Sequence, residues 1–133
     1  MITWDESMST GLKDIDAQHK EIITKFNEFS AAIEHGYGAD LDLAGEILDF
    51  LQFYAVWHFE REEKCMAQYQ CPVAQINKQA HAEFVEKFGR FYEHWQEHGI
   101  DINVTYQTFI ELEEWIRNHI QGIDTQLRAC VNQ

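Results

Sequence analysis

An all-α fold, an antiparallel up-down-up-down four-helix bundle, is predicted by three features of the 133-residue chain. Apolar residues recur at steps of three and four over long stretches, and no strand-like alternation is sustained. The single proline, Pro72, and glycines that fall mainly between the periodic stretches leave room for few, long helices. Four such stretches joined by short connections bury their stripes most simply in a bundle.

The first helix is expected from about Asp16 to His35, with Ile22, Ile23, Phe26, Phe29 and Ile33 on one face and Gly36 ending it. The second follows Asp40 as N-cap and carries Ile47, Leu48, Leu51 and Ala55 inward until about Gln68. Cys71-Pro72 suggests a cap and a first-turn proline, opening a third helix through Phe84, Phe88, Phe91 and Trp95 to Gly99. The fourth is expected to begin near Asn103, with Phe109, Leu112, Ile116 and Ile123 as its stripe. Without repeat or linker, residues 1–133 are expected to form one domain.

Composition narrows the function classes. Ten Lys and Arg against 23 Asp and Glu give a net charge of −13. That charge repels phosphate backbones and anionic lipid, so neither nucleic acid nor a membrane is an expected partner. The start, MITWDESMS, carries no basic region leading into an apolar stretch, and a cytoplasmic location is the expectation. Cys65, Cys71 and Cys130 are an odd number without CxxC spacing, and reduced structural thiols are expected.

The stripes are interrupted by polar groups. On the second helix the inward face runs Leu51, Ala55, His58, Glu62, Cys65, in steps of four, three, four and three. His19 lies one turn before Ile22 and Ile23, His81 heads the Phe84–Phe88–Phe91 stripe, and His119 stands between Ile116 and Ile123. Every helix thus contributes one inward histidine. Glu62 shares the face of His58, and Asp124, five residues after His119, sits at the edge of its stripe within reach of the bundle axis. Buried carboxylates demand compensation, and a cation shared by several helices supplies it. Imidazole plus carboxylate without a thiolate cluster suits iron or manganese better than structural zinc. His35, His94 and His98, near expected helix C-termini, are assigned to solvent, as are Glu60 and Glu63, which lie off the stripe.

Trp4, GLKDIDAQHK, HFEREE, the histidine of NKQAH and WIRNHIQGID together resemble the hemerythrin family, in particular its short bacterial members, the bacteriohemerythrins. The resemblance implies two non-haem irons inside the bundle, joined by a solvent-derived oxo or hydroxo bridge, that reversibly bind dioxygen. By the same resemblance, His19 and His58 would hold the iron that meets dioxygen, His81 and His119 the other, and Glu62 and Asp124 would bridge the two. Ile22, Phe59, Ile116 and Ile120 are candidates for an apolar gas pocket, and core packing describes them equally well. The pattern departs at Asn77, where the family usually has a further histidine one turn before His81. An amide there would ligate weakly, hold a water, or leave a position open. The leading expectation is a binding protein for oxygen storage, delivery or sensing, not an enzyme. A di-iron enzyme acting on peroxide, nitric oxide or ferrous iron is the alternative, favoured if Asn77 leaves an iron open.

Overall fold

The computed structural model describes residues 2–34, 41–99 and 102–131. Four long helices, α1 (Lys13–Glu34), α2 (Leu41–Gln68), α3 (Ala74–His98) and α4 (Ile102–Gly122), precede a short α5 (Leu127–Val131). No strand occurs among the described residues. Single 3-10 turns at Glu6–Met8 and Asp124–Gln126, and α5 itself, add to the four expected helices. The expected stop at His35 and Gly36 and the Asp40 cap lie outside the described residues.

Side-chain contacts establish that neighbouring helices run antiparallel. Early α1 meets late α2 through His19 and Glu62, and late α2 meets early α3 through Met66 and Asn77. Early α3 meets late α4 through His81 and His119, and late α1 packs on early α4 through Phe29 and Phe109. This is the expected up-down-up-down arrangement.

Helix ends depart from expectation where side chains or turns take over. α1 begins at Lys13, three residues before the expected Asp16, because Asp16 anchors the entering chain rather than capping it. Its carboxylate accepts from Thr10 N at 2.7 Å, Thr10 Oγ1 at 2.8 Å and Ser9 Oγ at 2.7 Å. Gly11 makes the intervening turn at φ +83°. A Cβ there would meet only ordinary contacts, so Gly11→Ala is expected to cost about 1 kcal/mol from backbone strain alone, measured as a lowered urea midpoint.

α2 closes with Gln70 at φ 53°, Cys71 N–H donating to Met66 O at 2.9 Å and Gln70 N–H to Ala67 O at 3.2 Å. This paired bonding satisfies the last carbonyls. Pro72 therefore falls in the turn, and α3 starts at Ala74 with Val73 as its N-cap, not at Cys71-Pro72. Its other end is as expected, with Gly99 at φ 68° donating to Trp95 O at 2.9 Å.

Two apolar clusters flank a polar layer. The larger holds Phe26, Phe29, Leu48, Leu51, Phe84, Phe88, Phe91, Phe109 and Leu112. Ring centroids of Phe29 and Phe109 lie 5.1 Å apart and those of Phe84 and Trp115 4.6 Å apart. Each buried ring contributes about 1.5–3 kcal/mol over exposure, the main force closing the bundle. The smaller cluster, Met66, Cys71, Leu127 and Cys130, seals the end where α2 turns into α3. There the Cys71 and Cys130 sulfurs are paired as a disulfide, with Cα atoms 5.7 Å apart, against the expectation of reduced thiols; Cys65 is free. Chain spacing carries no information about this approach, which α5 creates by folding back. No described helix is long and apolar enough to cross a membrane.

Candidate metal centre

The six side chains singled out by the sequence, His19, His58, Glu62, His81, His119 and Asp124, are all buried in the polar layer. α1 supplies His19, α2 His58 and Glu62, α3 His81, and α4 His119. Asp124 is placed differently from the sequence expectation. α4 ends at Gly122, and Asp124 opens the following 3-10 turn, which points it back at the axis. It reaches the layer by a turn rather than along a helix face.

The two carboxylates divide their oxygens. Glu62 Oε2 lies 2.9 Å from His19 Nε2 and 3.2 Å from His58 Nε2, while Glu62 Oε1 lies 3.2 Å from His81 Nε2. Asp124 Oδ2 lies 3.1 Å from His19 Nε2, and Asp124 Oδ1 3.1 Å from His119 Nε2. Two donor sets result, His19–His58–Glu62–Asp124 and Glu62–His81–His119–Asp124, each with ligand atoms within 4.8 Å of one another. The carboxylates belong to both.

Further residues, absent from the sequence-based set, aim the imidazoles. His58 Nδ1 donates to Gln18 Oε1 at 2.7 Å, and His81 Nδ1 donates to Glu63 Oε2 at 3.2 Å. Each bond fixes the tautomer that turns an Nε2 lone pair toward the carboxylates. Glu63 is therefore not a freely solvated group: it is half-buried and leans across the α2/α3 seam. Glu60, His94 and His98 are exposed, as expected; His35 lies outside the described residues. Stacking limits ring rotation, with His81 against Phe59 at 3.9 Å and His119 against Trp115 at 4.4 Å between centroids.

Electrostatics and unsatisfied atoms bear on what the site can hold. Burial opposes charge on His19, yet hydrogen bonds to Asp124 and Glu62 and their charges push its pKa up to about 10. Burial likewise opposes ionisation of Glu62, but the imidazoles of His19, His58 and His81 set against its oxygens hold it well below the usual carboxylate range. At His58 burial wins, and its pKa falls below the ordinary value. An imidazolium thus stands between two carboxylates where a cation would balance both. His81 Nε2, His119 Nε2 and Asp124 Oδ1 are buried close to opposite partners yet make no hydrogen bond. Lone pairs converging without protons between them fit a metal ion.

Asn77 is fully buried in the same layer. Its Nδ2 donates to Glu62 Oε1 at 2.9 Å and to Met66 Sδ at 3.2 Å, leaving Oδ1 without a partner. The amide thus faces Glu62 with its donor. Ile22, Phe59, Ile116 and Ile120 are buried beside the layer, as expected of either a gas pocket or core. A groove of about 1030 Å³ lies elsewhere, between α1 and α2, and meets the layer at Gln18.

Residues 10–130 match the family model for the hemerythrin HHE cation binding domain. The chain is 29% identical to a bacteriohemerythrin of Stenotrophomonas maltophilia over all of its own length and 86% of the relative's. It is 26% identical to a bacteriohemerythrin of Pseudomonas aeruginosa, covering 92% of this chain and 76% of that one. A crystal structure of wild-type hemerythrin superposes with a TM-score of 0.86 at 24% identity, covering 100% of this chain and 99% of that chain. The fold is common to both. With a family match over almost its entire length and inward histidines on all four helices, the chain belongs to the hemerythrin family.

Proposed function

We propose that the chain holds two non-haem iron ions among His19, His58, Glu62, His81, His119 and Asp124, completed by a solvent-derived oxo or hydroxo bridge, and binds dioxygen reversibly. The observation that carries this reading is the division of both carboxylates between two pairs of histidines. Nitrogen and carboxylate donors without a thiolate suit iron. Held by these six side chains, ferrous ions would supply the electrons that a reversible association with dioxygen requires. Family membership and relatives named bacteriohemerythrin support the assignment, and storage, delivery or sensing of oxygen is the role that follows.

The chain's own residues prepare the site. His19 Nε2 carries a proton between Glu62 Oε2 and Asp124 Oδ2, and gives it up to solvent as a cation takes its place. Gln18 and Glu63 hold the imidazoles of His58 and His81 with their lone pairs inward. Ile22, Phe59, Ile116 and Ile120 keep water away from the layer.

Anaerobic loading with ferrous iron, then exposure to oxygen, tests the proposal by metal counting and visible absorption. Two irons per chain and a band that appears with oxygen and disappears under argon are expected. Zinc alone in a closed tetrahedral site, or a band that never reverses, overturns it. Glu63→Ala is expected to weaken iron binding by about tenfold in a chelator competition, because His81 loses the acceptor that orients it.

A further inference from the structure

The segment that delivers Asp124 has little of its own to hold it. α5 has five residues, too few for a helix to persist without tertiary anchors. Its anchors are Leu127 and Cys130 in the small cluster and the Arg128 guanidinium, which donates to Ser9 O and Glu6 O. Cys130 is joined to Cys71, across 59 residues of chain. Their Cα separation of 5.7 Å is in the middle of the range that a disulfide spans.

Both ends of this bond lie in the small cluster on one side of the polar layer, but they belong to different elements. Cys71 belongs to the α2–α3 turn, where its N–H binds Met66 O, and the Met66 sulfur touches Asn77. Cys130 follows Asp124 by six residues, through the 3-10 turn and α5. Fixing Cys130 to Cys71 therefore holds the Asp124 turn against the end of α2 that carries Glu62. The 59-residue span includes His81, His119 and Asp124.

We propose that Cys71 and Cys130 are a reversible thiol–disulfide pair whose oxidation locks the Asp124 segment and slows loss of metal from the site. The metal-retention half rests on the proposed iron centre. On oxidation the two thiols give two electrons and two protons to a low-molecular-weight disulfide, which leaves as two thiols while the Sγ–Sγ bond forms. A dithiol reverses the reaction, itself becoming oxidised. Cys65, whose thiol burial pushes up, stands outside the pair.

The test compares full-length protein equilibrated with oxidised glutathione or with dithiothreitol, each then desalted without oxygen. Peptide mapping should join Cys71 to Cys130 in the first sample, with an intact mass lower by two hydrogens. In metal-free protein, amides of residues 123–131 should exchange about tenfold more slowly when oxidised, while core amides of α1–α3 are unchanged. Iron-loaded protein should release iron to a chelator several-fold more slowly when oxidised. Cys65→Ala should preserve each difference, and the double variant Cys71→Ala/Cys130→Ala should abolish them. A cross-link through Cys65, no cross-link, or equal exchange overturns the pairing and its lock. Slowed exchange with unchanged iron release overturns the link to metal retention. Failure to take up iron in either state overturns the iron reading instead, and exchange still decides the lock.

Discussion

Glu62→Ala is expected to strip both metal positions at once, while Glu60→Ala leaves two irons per chain. Glu62 is one turn after His58 and fully buried, and its two oxygens face His19 and His58 on one side and His81 on the other. Removing it takes an anionic oxygen from each donor set, so affinity should fall by about a hundredfold or more at both, roughly 3 kcal/mol each. Glu60 is exposed and belongs to neither set. The comparison holds residue type and helix constant and changes only the face. Iron content after gel filtration and the oxidised visible spectrum decide it, and equal values for the two variants would sink the bridging role of Glu62.

Asn77→His is expected to hold iron more tightly and to make the oxygenated form longer-lived. Asn77 occupies the same inward face one turn before His81, and its amide donates to Glu62 Oε1 instead of offering a nitrogen lone pair. An imidazole adds a donor to the set formed by His81, His119 and the carboxylates. Its greater bulk presses on Met66, whose unbranched side chain is the most adaptable neighbour available. Iron loss during dialysis is expected to slow by about tenfold, or 1.4 kcal/mol, with a parallel slowing of autoxidation. If the parent already retains two irons as firmly and its oxygenated form persists as long, the parent's position is adequately filled by Asn77 or solvent.

Much of this site could be read from periodicity. His58 and Glu62 fell on a stripe that also held Leu51 and Ala55, so their burial followed from the spacing alone, and His19, His81 and His119 followed similarly. What escaped was set by contacts between helices or by turns. Glu63 is off the α2 stripe, yet at the α2/α3 seam an off-stripe carboxylate meets His81. Gln18, next to His19, points to α2 and not along its own helix, and its adjacency to an inward histidine was the only local signal. Asp124 is placed by spacing at the edge of the α4 stripe, but the 3-10 turn that aims it has no helical period. The start of α1 was missed because Asp16 bonds backward to Ser9 and Thr10 rather than forward into its own first turn.

The scattering of donors along the chain also orders events during synthesis. When α1 and α2 have left the ribosome, His19, His58 and Glu62 exist, and a helical hairpin of the first half can bring them together. His81, His119 and Asp124 have not yet emerged, so Glu62 Oε1 lacks its histidine partner. Translation must continue through another 62 residues beyond Glu62 before Asp124 appears. A nascent chain therefore offers half a cradle first, and the paired cradle is complete only once Asp124 has emerged.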